Sequence, residues 1–200
     1  MLEGILRGDY KPGETFKERP VAVALGVNPA TVRRAAEWLR NDGLLERLPR
    51  RGWRVAKLQL REVKDTFQIR LLLEPLGLQW AVHRITDEAL SELEAECKRL
   101  IKAGEKATSY DRRRADHHFH HTLAEASGSR VLAETLEPLV RKLLLITTVR
   151  FRYTRSTQTF EEHRQIIQAL KQRDANEAIR LVKAHLESAL QHNLDTWEEP

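Results

Sequence analysis

Asp116, His120, His163 and His185 are the residues of this sequence whose types and positions most directly suggest chemistry. Carboxylate and imidazole groups both bind divalent transition metals, and one Asp with three His suits Zn2+, Ni2+, Mn2+ or Fe2+. Asp116 and His120 are one helical turn apart and project from one face, a stripe they share with Phe119 and Leu123. His163 precedes Ile166, Ile167 and Leu170 at helical spacing, and His185 shares a stripe with Ala178, Val182 and Ala189. All four therefore face inward from three separate helical segments. Taken singly, a buried imidazole is more often a core histidine whose nitrogens find ordinary partners. Three of them with an aspartate read as one metal centre. An ion preferring five or six ligands would keep open positions there, which a small carboxylate could fill. His117 and His121 also share a stripe, rotated by about 100° and poorer in apolar company. His118 reads as solvent-facing.

The elements that must position these groups are mostly helices. Helical periodicity covers about 62–84, with Pro75 expected to kink that segment or split it. Thr86 opens a helix over about 87–106, and the next, about 110–126, ends at Ser127-Gly128. Another covers about 130–153. Thr159 with Glu162 reads as a capping box for a helix over about 160–172, and Asp174 with Glu177 caps one over about 175–196. Six helices without a strand signal make residues 62–197 an all-α bundle.

Residues 1–58 read differently. Thr31 to Asn41 forms a helix with Val32, Ala35, Ala36 and Leu39 on one face, and Leu25-Gly26-Val27 before it reads as the turn of a helix-turn-helix. Leu44–Arg47 and Trp53–Val55 read as two short strands joined through Pro49-Arg50-Arg51-Gly52. Charge follows the same division: residues 1–60 hold 12 Lys/Arg against 7 Asp/Glu, and residues 61–200 hold 22 against 22. A basic module joined to a neutral one points to a polyanionic partner for the first part alone. Asn28, Thr31, Arg33 and Arg34 offer short polar and basic groups at the start of a recognition helix, and Arg47, Arg50, Arg51 and Arg54 offer phosphate contacts at a wing. Gly52 would let the wing backbone approach a groove closely.

Other classes are disfavoured. No run approaches the ~20 apolar residues that span a bilayer, and the start has no basic segment followed by an apolar core. Cys97 is the only cysteine, so no internal disulfide can form. A cytoplasmic protein with no membrane partner is expected.

The order of these words resembles the GntR superfamily of bacterial transcription regulators. The matching words are Lys11-Pro12-Gly13-Glu14, Leu25-Gly26-Val27, Val32-Arg33, Gly43-Leu44-Leu45 and Pro49-Arg50-Arg51-Gly52. The resemblance implies a winged helix-turn-helix, with DNA contacts falling on Arg19, Asn28, Thr31, Arg33 and Gly52. Pro29 stands where many members carry an Arg, a departure that bears on operator sequence. Leu2–Arg7 matches only the end of the family's longer first helix.

The second part resembles the FCD ligand-binding domain of the FadR branch, through Arg70-x-x-x-Glu74, Asp116-x-x-Phe119-His120, Glu162-His163 and Ala184-His185-Leu186. The spacing of the four candidate ligands fits its metal-binding members. The resemblance implies carboxylate effectors, with Arg70 near the effector cavity and Arg150 a second candidate; an internal ion pair of Arg70 with Glu74 is the competing assignment. It also implies a homodimer on operator DNA, with effector binding altering the half-site geometry. Two other readings stay open: a helical metalloenzyme acting on a small organic acid, and a DNA-binding protein whose metal is structural or is itself the signal.

Overall fold

The winged unit is built by local sequence signals. The computed structural model describes residues 1–150 and 156–197. Leu2–Arg7 forms α1, Thr15–Phe16 β1, Glu18–Leu25 α2, Pro29–Asn41 α3, Leu45–Leu48 β2 and Gly52–Val55 β3. Gly26, with φ 64°, ends α2 in the left-handed conformation. Asn28 Oδ1 then accepts from the Ala30 N–H at 2.8 Å, and Pro29 occupies the first helical position, where a missing N–H costs nothing. The three strands pair antiparallel in the order β1-β3-β2, with Phe16 opposite Trp53 and Leu48 opposite Gly52. β1 has two residues, too few to show an alternating pattern. Trp53 is fully buried, and its Nε1 donates to Glu18 at 3.2 Å, tying the wing to α2.

The second unit is a bundle of α4 (Leu60–Ala81), α5 (Asp87–Ala103), α6 (Ser109–Ala126), α7 (Arg130–Arg150), α8 (Ser156–Lys171) and α9 (Ala175–Asp195). Together with the winged unit this is the mainly α architecture expected. Reciprocal capping boxes start α4 (Gln59 with Glu62) and α6 (Thr108 with Asp111), while Thr86 and Asp174 cap α5 and α9. α4 packs on α6 and α9, α8 on α5 and α9, and α6 on α7. The site-bearing helices α6, α8 and α9 are therefore held together through α4 and α5.

Two expectations are corrected. Of the two outcomes expected at Pro75, a kink or a split, the split does not occur: α4 runs through it as one helix. A proline in a helix interior costs about 3 kcal/mol. Burial on this stretch, including Pro75 itself and Leu78, opposes that cost at about 1.5–3 kcal/mol per large apolar side chain. Thr159 does not cap α8, which begins a turn earlier at Ser156; the Glu162 carboxylate instead faces His185.

Ala36, Leu39, Trp53 and Val55 of the winged unit belong to the same contiguous apolar cluster as Val63, Phe67, Leu78 and Leu170 of the bundle. At Gly52, φ is 93°, and an added Cβ would lie 2.3 Å from the Phe16 carbonyl oxygen. Gly52→Ala should therefore weaken the wing by about 1–3 kcal/mol. Amide hydrogen exchange should accelerate at Trp53 and Val55 and stay unchanged in the bundle; wild-type exchange in the wing would contradict this contact.

Candidate metal centre

α6 contributes Asp116 and His120 from one face, α8 contributes His163 and α9 contributes His185. One ligand atom from each of the four lies within 4.8 Å of the others. His163 Nε2 is 3.3 Å from His185 Nε2 and 3.5 Å from Asp116 Oδ1, and His120 Nε2 is 3.9 Å from the same oxygen. Metal–ligand bonds of ~2.0–2.2 Å place neighbouring donors ~2.8–3.6 Å apart, so a small contraction would bring these atoms around one ion. The three imidazoles are buried and Asp116 is half-buried, so the cluster is closed except on the aspartate side.

The orientation of each ring has a cause. His120 Nδ1 lies 2.7 Å from Glu74 and His185 Nδ1 lies 2.7 Å from Glu162. A carboxylate accepts, so each Nδ1 carries the proton and each Nε2 turns its lone pair toward the cluster. Burial lowers the His185 pKa, partly opposed by Glu162, and favours the neutral ring that metal binding requires. Burial alone would raise the Glu74 carboxyl, but the charges of Arg70 and His120 and their hydrogen bonds outweigh it and hold the group at about 2. The Phe119 ring stacks on His163 with centroids 3.8 Å apart, and Phe160 meets it edge-on. This donor set has the chemistry of a divalent transition-metal site: a carboxylate oxygen and converging imidazole nitrogens, with two rings oriented from behind by carboxylates.

The remaining candidates fall in several places. Arg70 is buried and donates through Nε to Glu74, the competing assignment made from sequence; its Nη2 is also buried and has no hydrogen-bond partner among the described residues. Arg150 ends α7, and its side chain lies outside the described residues. Arg19, Asn28, Thr31, Arg33, Arg34 and Arg51 are all exposed on the winged unit. Arg33 is held by Glu18 through two hydrogen bonds of 3.0 and 2.9 Å. Arg47 and Arg54 pair with Glu37 and Glu46, the latter because Glu46 sits directly opposite Arg54 in the sheet. His118 is exposed and bonds Glu96.

The roles of Glu74 and Glu162 behind the histidines are not legible in the sequence. Glu74 was visible only as a partner four residues from Arg70. Nothing local to Glu162 shows that it reaches a ring on another helix.

Residues 65–188 match the FCD domain family, and residues 1–55 match the family described as bacterial regulatory proteins, gntR family. The uncharacterized HTH-type transcriptional regulator YdhC of Bacillus subtilis is 30% identical over 199 residues, spanning 98% of this chain and 88% of YdhC. The HTH-type transcriptional repressor RspR of Escherichia coli is 26% identical, spanning 88% of this chain and 78% of RspR. The structure of E. coli McbR/YncC superposes with a TM-score of 0.87 at 20% identity, covering 98% of this chain and 94% of that one. The Zn2+-bound FCD domain of TM0439 superposes with a TM-score of 0.58 at 22% identity, covering 71% of this chain and 100% of that domain.

Zinc at about 1,000 times its Kd should stabilise the native chain by about 4 kcal/mol, read as a rise in Tm. His163→Ala should lose most of that rise and bind less zinc by elemental analysis. Equal Tm shifts and equal zinc content in both proteins would remove His163 from the ligand set.

Proposed function

This chain belongs to the gntR family of bacterial regulatory proteins with an FCD domain, and from that premise we propose that it is a repressor sensing a small carboxylate at a metal centre. Transcriptional regulation is the activity named for its relatives. The observation that carries the sensing proposal is the convergence of Asp116, His120, His163 and His185, with two rings aimed by Glu74 and Glu162. These four residues would hold the ion, zinc being our first candidate with nickel, manganese or iron as others. A bound divalent cation supplies positive charge and exchangeable ligand positions for a carboxylate.

The chain's own groups supply the rest. Arg70 brings a buried guanidinium with an unused Nη2 close behind His120, through Glu74, and a guanidinium suits a carboxylate. The space beside His120, lined by Glu74, Gly77, Leu78, Leu123 and Val182, holds about one water, so a carboxylate would enter only as these side chains part. We divide the chain into a DNA-binding part at 1–58 and a sensing part at 62–197.

Operator DNA would be met by Arg19, Asn28, Thr31, Arg33, Arg34, Arg51 and Gly52. Arg19, Arg34 and Arg51 serve phosphates, while Arg33, oriented by Glu18, serves as a reader at the start of α3. A homodimer presents two such heads to half-sites about one DNA turn apart. Its interface is assigned to α4, where Ile69, Leu72, Leu76 and Trp80 form an exposed apolar stripe and Leu72 is 74% exposed. No helix among the described residues is long and apolar enough to cross a membrane.

The test is fluorescence anisotropy on DNA from upstream of the protein's own gene. With zinc-loaded protein, a matching carboxylate from a panel of organic acids should weaken binding, and His163→Ala should not respond. A response that survives in that variant would separate sensing from the metal centre. Arg51→Ala should weaken binding to all sequences alike and reduce the salt slope by about 0.9; an unchanged slope would take Arg51 off the phosphates. Leu72→Glu should convert a dimer to a monomer by light scattering, and a dimer that persists would move the interface off α4.

A further inference from the structure

α6 has a second polar face, rotated from the metal ligands, that reaches toward the DNA-binding unit. His117 Nε2 lies 2.9 Å from Oε1 of Glu137 on α7, and His121 Nδ1 lies 2.9 Å from its Oε2. Their rings are parallel, with centroids 5.7 Å apart, so the two grip one carboxylate as a pair. Glu137 Oε1 also pairs with Arg141 Nη2 at 2.6 Å, one turn along α7. Arg141 Nη1 crosses to the winged unit and donates to Asp42 at 2.7 Å. Asp42 is the residue that caps the C-terminus of α3, and the Arg141 guanidinium lies 5.5 Å from the Trp38 ring of the same helix. Lys142, the next residue, binds Glu62 at 2.8 Å and lies against Gly43.

These pairs are not surface decoration. The side chains of Asp42, Glu137 and Arg141 are each 16% exposed. Half-buried, hydrogen-bonded charge pairs are screened less and hold geometry better than exposed ones. Burial would raise the Glu137 carboxyl, yet the His117 hydrogen bond and the charges of His117, Arg141 and His121 hold it at about 2. The carboxylate therefore stays charged at neutral pH.

We propose that Arg141 is a positioning residue that braces the recognition helix against the bundle, so that a displacement of α6 is passed through Glu137 and Arg141 to Asp42. The inference rests on the reading that α3 enters a DNA groove. It needs no particular effector and does not depend on which ion α6 holds. It gives the sensing unit a physical route to the reading head: one face of α6 carries the ligands Asp116 and His120, and the adjoining face grips the brace.

A double-mutant cycle on operator affinity tests it, using zinc-loaded full-length protein and DNA from upstream of its own gene. Asp42→Asn removes a negative charge from the DNA-binding unit, and through charge alone would tighten DNA binding. Arg141→Gln removes a positive charge, and through charge alone would weaken it. A severed brace instead shifts both variants in the same direction, by about 5-fold or more, with the double variant no further displaced than the singles. Glu137→Ala, which alters nothing on the winged unit, should shift affinity the same way. Opposite shifts, additive shifts or wild-type affinity in the variants would overturn the proposal, and wild-type affinity in Glu137→Ala alone would cut α6 out of the route. Zinc content is measured in parallel: its absence from every protein, wild type included, counts against the metal centre and leaves the cycle readable.

Discussion

Lone pairs on buried imidazole nitrogens repel one another unless a proton or a cation stands between them. His163 and His185 bring two Nε2 atoms to 3.3 Å inside the bundle, and Asp116 and His120 close in on the same space. The surrounding structure holds them there. Glu74 and Glu162 occupy the Nδ1 sides of His120 and His185, Phe119 stacks on His163, and Arg70 offsets the burial of Glu74. An arrangement that only stabilised the apo core could use apolar side chains at lower desolvation cost. A cluster of nitrogens aimed at one point is what a cation requires.

This constraint explains features that are otherwise unrelated. α4 must continue through Pro75 because Arg70, Glu74 and Leu78 all lie on its buried side around the site. α8 must start early enough to carry both Glu162 and His163, adjacent residues that serve different rings. α6 presents Asp116 and His120 on one stripe and the Glu137 pair on the next, which places it between the histidine cluster and α7. The winged unit is no loose appendage, since its buried residues join the apolar cluster of the bundle and Arg141 spans the boundary. On the proposed function, in which the bundle influences the reading head, a shared core and a charged brace would transmit displacement where a flexible linker would absorb it.

Much of this was legible in the sequence, and the reasons are specific. Asp116 and His120 share a helical stripe with Phe119 and Leu123, and helical periodicity survives into the fold with little change. Asp174 and Thr86 cap the helices that their types and positions suggest, because a cap is decided within four residues. Contacts across elements were less accessible. Glu162 looked like half of a capping box, and only the approach of α9 reveals it as the partner of His185. Arg33 looked like an open DNA contact, and only the packing of α2 on α3 places Glu18 beside it. Gly52 suggested close approach to a groove, while in the fold the missing side chain makes room for the Phe16 carbonyl. β1 was overlooked because two residues carry no periodicity.

The claim at the centre is that side chains from α6, α8 and α9 hold a single divalent ion. It is tested most directly by the anomalous-difference density of crystals grown from zinc-loaded protein. The account predicts one strong peak at ~2.0–2.2 Å from an Asp116 carboxylate oxygen and from the Nε2 atoms of His120, His163 and His185. Zinc-saturated protein whose only peaks lie elsewhere, with these four side chains bonded to one another instead, would contradict it.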